Sequence, residues 1–133
     1  MATVKDFEDL EVWKLAREIC NDVYRISQYP TLSKNYALVD QLRRSSGSIM
    51  DNIAEGFERG GTKEFIHFLS IAKGSAGELR SQIIRAFDQL YINEEEFQMI
   101  KLKIIHEGNQ LGHFSSYLKN SGFKGSKLRE IEK

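Results

Sequence analysis

The chain is short of the residues that staple, kink or anchor a protein: its 133 residues include one cysteine, one proline and one tryptophan. A lone Cys20 excludes an intramolecular disulfide and any site built from several thiolates, so stability must come from packing. A lone Pro30 leaves room for long unbroken helices. No apolar run nears the roughly 20 residues of a membrane span. The opening stretch has no basic segment leading into an apolar one, and Asp6, Glu8, Asp9 and Glu11 crowd the place where such a signal would begin. The expectation is a cytoplasmic protein without membrane contact. An excess of either charge is also missing: 19 Lys and Arg meet 19 Asp and Glu. That balance argues against coating nucleic acid through bulk positive charge.

What is present points to one folded unit. Hydrophobic residues are 41% and charged residues 29% of the chain, enough to bury a core. The length matches one domain of about 100 to 150 residues. Charge is uneven along it: residues 34–85 carry eight basic and six acidic side chains, and 119–133 carry five and two, while 1–33 and 86–118 lean acidic. A nucleic-acid footprint would therefore be one face or the tail.

Apolar Val12, Trp13, Ala16, Ile19, Cys20, Val23 and Ile26 recur at threes and fours, which predicts a helix over about 9–28. Tyr29 before Pro30 disfavours its continuation, and Thr31 and Ser33 offer capping oxygens for a new start. A second helix carries Leu38, Leu42, Ile49, Ile53 and Phe57 and ends at Arg59, before Gly60 and Gly61. Thr62 is the expected cap of a third, whose seam runs from Phe65 and Phe68 through Leu69, Ala72, Ala76, Leu79, Ile83 and Ala86 to Leu90. Asn93 before Glu94, Glu95 and Glu96 reads as an N-cap with Glu96 closing a capping box. The fourth helix then buries Phe97, Ile100, Ile104, Leu111, Phe114 and Leu118 and stops near Asn120. No stretch alternates long enough for a sheet. The expected fold is all-α, an antiparallel up-down-up-down four-helix bundle over 1–121 with a flexible basic tail over 122–133.

Chemistry is harder to find. A bundle invites a di-iron site, but ferritin-like sites need two Glu-x-x-His pairs, and Glu64 with His67 is alone. His67 lies about 200° around the helix from Phe65 and should face solvent; His106 and His113 read as a helix flank. The run from Gly56 to Lys63 resembles a phosphate loop, yet it ends Gly-Thr-Lys and follows a helix instead of a strand. No serine or cysteine has a sequence-local base. No catalytic residue, metal, cofactor or small-molecule substrate is expected.

A polar stripe flanks the second helix's apolar seam: Gln41, Arg44, Ser48, Asn52, Glu55 and Arg59. The third helix matches it with Ser75, Glu78, Gln82 and Arg85. Folding the pair about Gly60 and Gly61 places Arg44 opposite Glu78 and Ser48 opposite Gly74, with Arg43 as the alternative partner one step away. Gln41, Arg44, Ser48, Asn52, Glu55, Ser75 and Glu78 thus form an expected structural network, because a buried polar group left unsatisfied costs about 1 to 3 kcal/mol. The functional reading has Asn52, Glu55 and Arg59 lining an opening shared between subunits. Helical Gly74, Gly77, Gly108 and Gly112 each cost about 1 kcal/mol against alanine. Gly74 is expected inside the monomer, and Gly108 and Gly112 at an oligomer contact.

Longer motifs carry a resemblance. They are Phe7-Glu8-Asp9-Leu10-x-Val12-Trp13, Val23-Tyr24, Gln41-Leu42-Arg43-Arg44-Ser45, Ser48-Ile49-x-x-Asn52-Ile53-Ala54-Glu55-Gly56-x-x-Arg59, and the run from Glu64-Phe65 to Gly74-Ser75-x-x-Glu78-Leu79. Over about 6–118 the chain resembles the bacterial four-helix-bundle family of the 23S ribosomal RNA intervening-sequence proteins. Many members have a proline shortly before the Asn-Ile-Ala-Glu-Gly run, where this chain has Met50 and Asp51, so its second helix should be straighter. The resemblance implies a ring, often of five subunits, and no enzymatic activity. It extends to accessory proteins of diversity-generating retroelements, which implies contact with RNA or a nucleic-acid enzyme through a basic surface. Two functions follow. A scaffold associated with RNA or a ribonucleoprotein would use Arg43, Arg59, Lys63 and Lys73, with Lys124, Lys127 and Arg129 of the tail, on phosphates. A protein-interaction adaptor ring would use exposed Tyr36, Phe87 or Tyr117.

Overall fold

The computed structural model describes residues 4–121. Four helices make up most of them: α1 (Glu11–Ser27), α2 (Tyr36–Arg59), α3 (Thr62–Asp88) and α4 (Glu94–Ser121). Short 3-10 turns at Phe7–Asp9 and Leu32–Lys34 are the other regular elements, and no strand occurs among the described residues. The tail assigned to 122–133, with Lys124, Lys127 and Arg129, lies outside them.

Each joint shows why its helix stops. Thr31 and Ser33 do not cap α2. Leu32, fully buried, draws the chain into an extra 3-10 turn, and Asn35 becomes the cap, its side-chain oxygen accepting from the Leu38 amide at 3.1 Å. α2 passes through Met50 and Asp51 without interruption and ends at Gly60, whose φ of 84° is left-handed. Thr62 is the first residue of α3, not its cap; Gly61 holds the cap position. α3 ends in paired reverse hydrogen bonds, Leu90 N–H to the Phe87 carbonyl at 2.9 Å and Tyr91 N–H to the Ala86 carbonyl at 3.0 Å. Leu90, expected on the apolar seam, instead occupies the left-handed position at φ 63° and is 84% exposed, because the helix has already stopped at Asp88. Asn93 caps α4 as expected, accepting from the Glu96 amide at 2.8 Å. The Glu96 side chain does not close a capping box; it crosses to the end of α1 and meets Arg25 of that helix and Tyr29 just beyond it.

Contacts between neighbouring helices run in opposite senses around the bundle. Cys20 and Ser27 of α1 meet Ser46 and Arg43 of α2. Gln41, Ser45 and Ser48 of α2 meet Arg85, Gln82 and Ser75 of α3. Phe65 and Phe87 of α3 meet Phe114 and Phe97 of α4, while Asp22 and Arg25 of α1 meet Lys103 and Glu96 of α4. The result is the up-down-up-down bundle, with one core of residues such as Ile19, Leu42, Ile53, Leu69, Ile83 and Ile104. Cys20 is half-buried against α2; its thiol donates to the Ser46 carbonyl at 3.2 Å, and burial pushes its pKa up.

α2 and α3 share the most extensive interface, and one glycine limits how closely they meet. A Cβ on buried Gly56 would stand 2.6 Å from the Phe68 Cβ and 3.0 Å from the Phe65 ring. Gly56→Ala is therefore expected to destabilise the fold by about 1 to 3 kcal/mol through overpacking, read as a lower urea midpoint. Leu90→Gly should act oppositely, stabilising the fold by about 1 kcal/mol as the left-handed strain is relieved and so raising that midpoint; a lower midpoint would show that the exposed leucine matters to the fold.

Candidate functional site

The expected polar stripe is present in part: Gln41, Ser48, Asn52 and Ser75 are joined in it, whereas Arg44 and Glu55 pair within α2 and Glu78 is exposed. Ser45, buried, takes the place assigned to Arg44: its hydroxyl bridges the Gln41 carbonyl at 2.9 Å and the buried Gln82 side-chain amide. Gln41 accepts from Arg85 at 2.7 Å, Ser48 and Ser75 share a hydrogen bond at 2.8 Å, and Asn52 donates to the Ser48 carbonyl at 2.8 Å. Arg44 does not meet Glu78. It pairs with Asp40 one turn back on its own helix at 2.9 Å, and Glu78 is exposed. The physical reason is desolvation: hydroxyls and amides satisfy one another inside a seam at little cost, whereas an arginine-carboxylate pair keeps its hydration on the outside. Arg43, the alternative partner, faces α1, its guanidinium over the Tyr24 ring at 5.0 Å. Ser48 meets Ser75 instead of Gly74.

At the α2–α3 tip, Arg59 is held by Glu55 at 2.8 Å, which raises its pKa, and reaches Glu64 at 3.8 Å. Its guanidinium lies over the Phe68 ring, 5.1 Å from the centroid. The His67 ring stands edgewise to the same phenylalanine at 5.5 Å. Arg59, Lys63, Glu64, His67 and Phe68 line an open cleft of about 410 Å³. Beneath it Phe57, Phe65 and Phe114 pack edge to face, with centroids 6.0 and 5.4 Å apart.

A second polar seam, between α1 and α4, went unread in the sequence. Asp22, 6% exposed, accepts from Arg25 at 2.8 Å and from Lys103 at 2.9 Å. Lys103 also reaches Glu18 at 3.3 Å, and Glu96 accepts from Arg25 and, at 2.7 Å, from the Tyr29 hydroxyl. The hydrogen bond to Asp22 raises the Lys103 pKa, and the one to Glu96 raises that of Tyr29. Further along this seam a cleft of about 410 Å³ is lined by Glu11, Lys14, Leu15, Glu18, His106, Glu107 and Gln110. Glu107 is fully buried. Its spacing, three after Ile104 and four before Leu111, marked it as a core position from the start. Among the described residues no group of three or more His, Cys, Asp or Glu is placed to hold a metal ion, and no helix is long and apolar enough to cross a membrane.

Of the expected phosphate contacts, the structure brings Arg59 and Lys63 together. Arg43 lies on the α1–α2 side, and Lys73 extends toward Gly112 of α4, where a Cβ would stand 3.2 Å from its Nζ. Gly74, expected inside the monomer, is exposed, and a Cβ there would meet nothing within 4 Å. Gly77 and Gly108 are equally open. Of the apolar candidates, Tyr36 is 80% and Tyr117 48% exposed, but Phe87 stacks on Phe97 at 4.3 Å and is half-buried.

Four rods with side chains joined along two polar seams, and a small cleft of mixed charge at one hairpin tip, define an all-helical bundle protein. The model of one such family, the 23S rRNA-intervening sequence protein, matches residues 8–113, and the chain belongs to that family. A solved structure shares the fold: a protein of unknown function from the S23 ribosomal protein family of Bacteroides thetaiotaomicron. Its TM-score is 0.73 at 22% identity, over 78% of this chain and 97% of that one. Among curated proteins nothing matches.

The α1–α4 seam has a pH signature. Tyr29 and Lys103 both titrate above their ordinary 10.0 and 10.5 in the folded chain. A raised folded pKa contributes stability that is complete below the unfolded value and is lost as pH rises through the folded one. Melting temperature should therefore fall on the alkaline side, buried Cys20 contributing from about pH 9 and these two groups from about pH 10, and the double variant Tyr29→Phe, Lys103→Met should flatten the limb above pH 10. An unchanged limb would show that neither group is linked to folding.

Proposed function

We propose that the chain is a non-enzymatic cytoplasmic scaffold that assembles with copies of itself and associates with RNA or a ribonucleoprotein. Glycines carry the self-assembly. At Gly74, Gly77 and Gly108 the missing side chain faces open space, so nothing in the chain's own packing offsets their cost of about 1 kcal/mol each. A second subunit approaching its backbone to these positions does. Gly108, with Gly112, is the contact assigned on α4, and the resemblance to ring-forming proteins sets the expected assembly at five.

The RNA half rests on the family description, which names the intervening sequence of 23S rRNA, and on the Arg59 and Lys63 pair at the hairpin tip. A ring repeats that pair once per subunit, which compensates for a chain of zero net charge. Lys73 and Arg43, and Lys124, Lys127 and Arg129 of the tail, remain the other assigned phosphate contacts. A protein-interaction adaptor is the second reading, favoured by the exposed Tyr36 and Tyr117.

Native mass is expected to show an oligomer that Gly108→Leu dissociates without loss of helix content; a wild-type monomer would sink both readings. RNA affinity should fall with salt, log K against log salt having a slope of about −0.7 per phosphate neutralised on a single strand. A flat response would favour the adaptor.

A further inference from the structure

The cleft at the α2–α3 tip combines three side-chain chemistries that no single simple ligand uses. Its floor is an aromatic ring already covered by a planar cation, Arg59 over Phe68 at 5.1 Å. Arg59 keeps 48% of its side chain exposed and Glu64 keeps 54% of its own. Lys63 and His67 stand exposed at the rim. Gly56 makes this arrangement possible: with no Cβ, it lets Phe68 settle against α2, three residues before Arg59 on the same helix.

A bare anion fits poorly, because Glu55 and Glu64 already oppose the Arg59 charge at 2.8 and 3.8 Å. An acidic peptide would meet the same carboxylates. A purely apolar group would leave Lys63 and Glu64 unused. A nucleotide uses all of them. Bases stack on aromatic rings and on guanidinium planes, an ammonium group takes a phosphate, and a carboxylate accepts hydrogen bonds from base N–H groups. Guanine alone among the four RNA bases offers two adjacent N–H donors on its pairing edge, matching the two oxygens of one carboxylate.

We propose that this cleft is a pocket for one unpaired nucleotide, with guanine preferred. The base extends the Phe68–Arg59 stack, Glu64 accepts from its edge, and Lys63 lies beside the phosphate. The proposal rests on the RNA reading above for its biological setting, but a mononucleotide tests it directly.

The experiment titrates the full-length protein with guanosine and adenosine 5′-monophosphates, following the Phe68 and His67 resonances. It then measures short single-stranded G-rich and A-rich oligoribonucleotides by anisotropy, for wild type, Phe68→Leu, Lys63→Gln and Glu64→Gln. Phe68→Leu keeps apolar bulk beneath Arg59 while removing the ring, and its helix content is checked by circular dichroism. Lys63→Gln is a surface change that gives a second reading should the leucine variant unfold. Expected are resonance shifts with the guanine nucleotide, about a tenfold loss of oligomer affinity for Phe68→Leu, a smaller loss for Lys63→Gln, and loss of the guanine preference for Glu64→Gln. Unmoved Phe68 and His67 resonances, or equal displacement by polyglutamate, would overturn the pocket. Long RNA bound equally by all four proteins would also overturn it while leaving the RNA reading intact. A guanine response at the cleft with no affinity for longer RNA would sink the RNA reading and leave the pocket standing.

Discussion

The close approach of α2 and α3 at Gly56 is the constraint on which the rest of the molecule depends. Two aromatic residues, Phe65 and Phe68, press on the α2 backbone where any side chain would collide with them. That contact draws the two longest facing seams together, so Ser48 reaches Ser75 and Ser45 reaches Gln82 further along the hairpin. It also sets the edge-to-face run from Phe57 through Phe65 to Phe114, which joins α4 to the hairpin. On the outer side it leaves the Phe68 ring shallow enough for Arg59 to cover and for a cleft to open beside it.

The bundle closes its two polar seams with different chemistry. Between α2 and α3 the buried partners are neutral hydroxyls and amides, each hydrogen bond contributing about 0.5 to 1.5 kcal/mol, and the charged partner, Arg85, meets Gln41 at the exposed edge. Between α1 and α4 they are charged: Asp22 lies between Arg25 and Lys103, and Glu96 receives Arg25 and Tyr29. The charged ladder suits a less extensive interface, where water still reaches the arginine and lysine stems and the desolvation cost is partial. A missing partner in the first seam orphans a hydroxyl; in the second it leaves a nearly buried carboxylate with half its neutralising charge.

The helices were legible in the sequence because their apolar residues recur at a period no strand shares; nearly every seam residue named there is buried. Asn93 was legible because three glutamates follow it. The failures have common causes. Arg44 and Ser45 are neighbours 100° apart at the stripe's edge, so spacing permits either in the seam, and desolvation selects the serine. Leu90 continues the period of α3, but the helix ends two residues earlier, at Asp88, to make the joint to α4. Phe87 and Glu107 show the converse error, residue type outweighing position: an aromatic taken as exposed is stacked on Phe97, and a carboxylate on the core stripe passed unnoticed. The α1–α4 ladder joins residues about 70 to 80 positions apart, a separation that no local pattern announces. The tip cleft was half legible, since Arg59 and Lys63 were among the named phosphate contacts while Phe68 was read as core.

Cys20 is the chain's single thiol, held protonated and half-covered, with its hydrogen directed at the α2 backbone. Its alkylation by an electrophilic reagent is slow while the first helix stays seated and quickens when that helix swings away. The rate of that reaction therefore measures how often the contact between the first two helices opens, and it needs no foreign label.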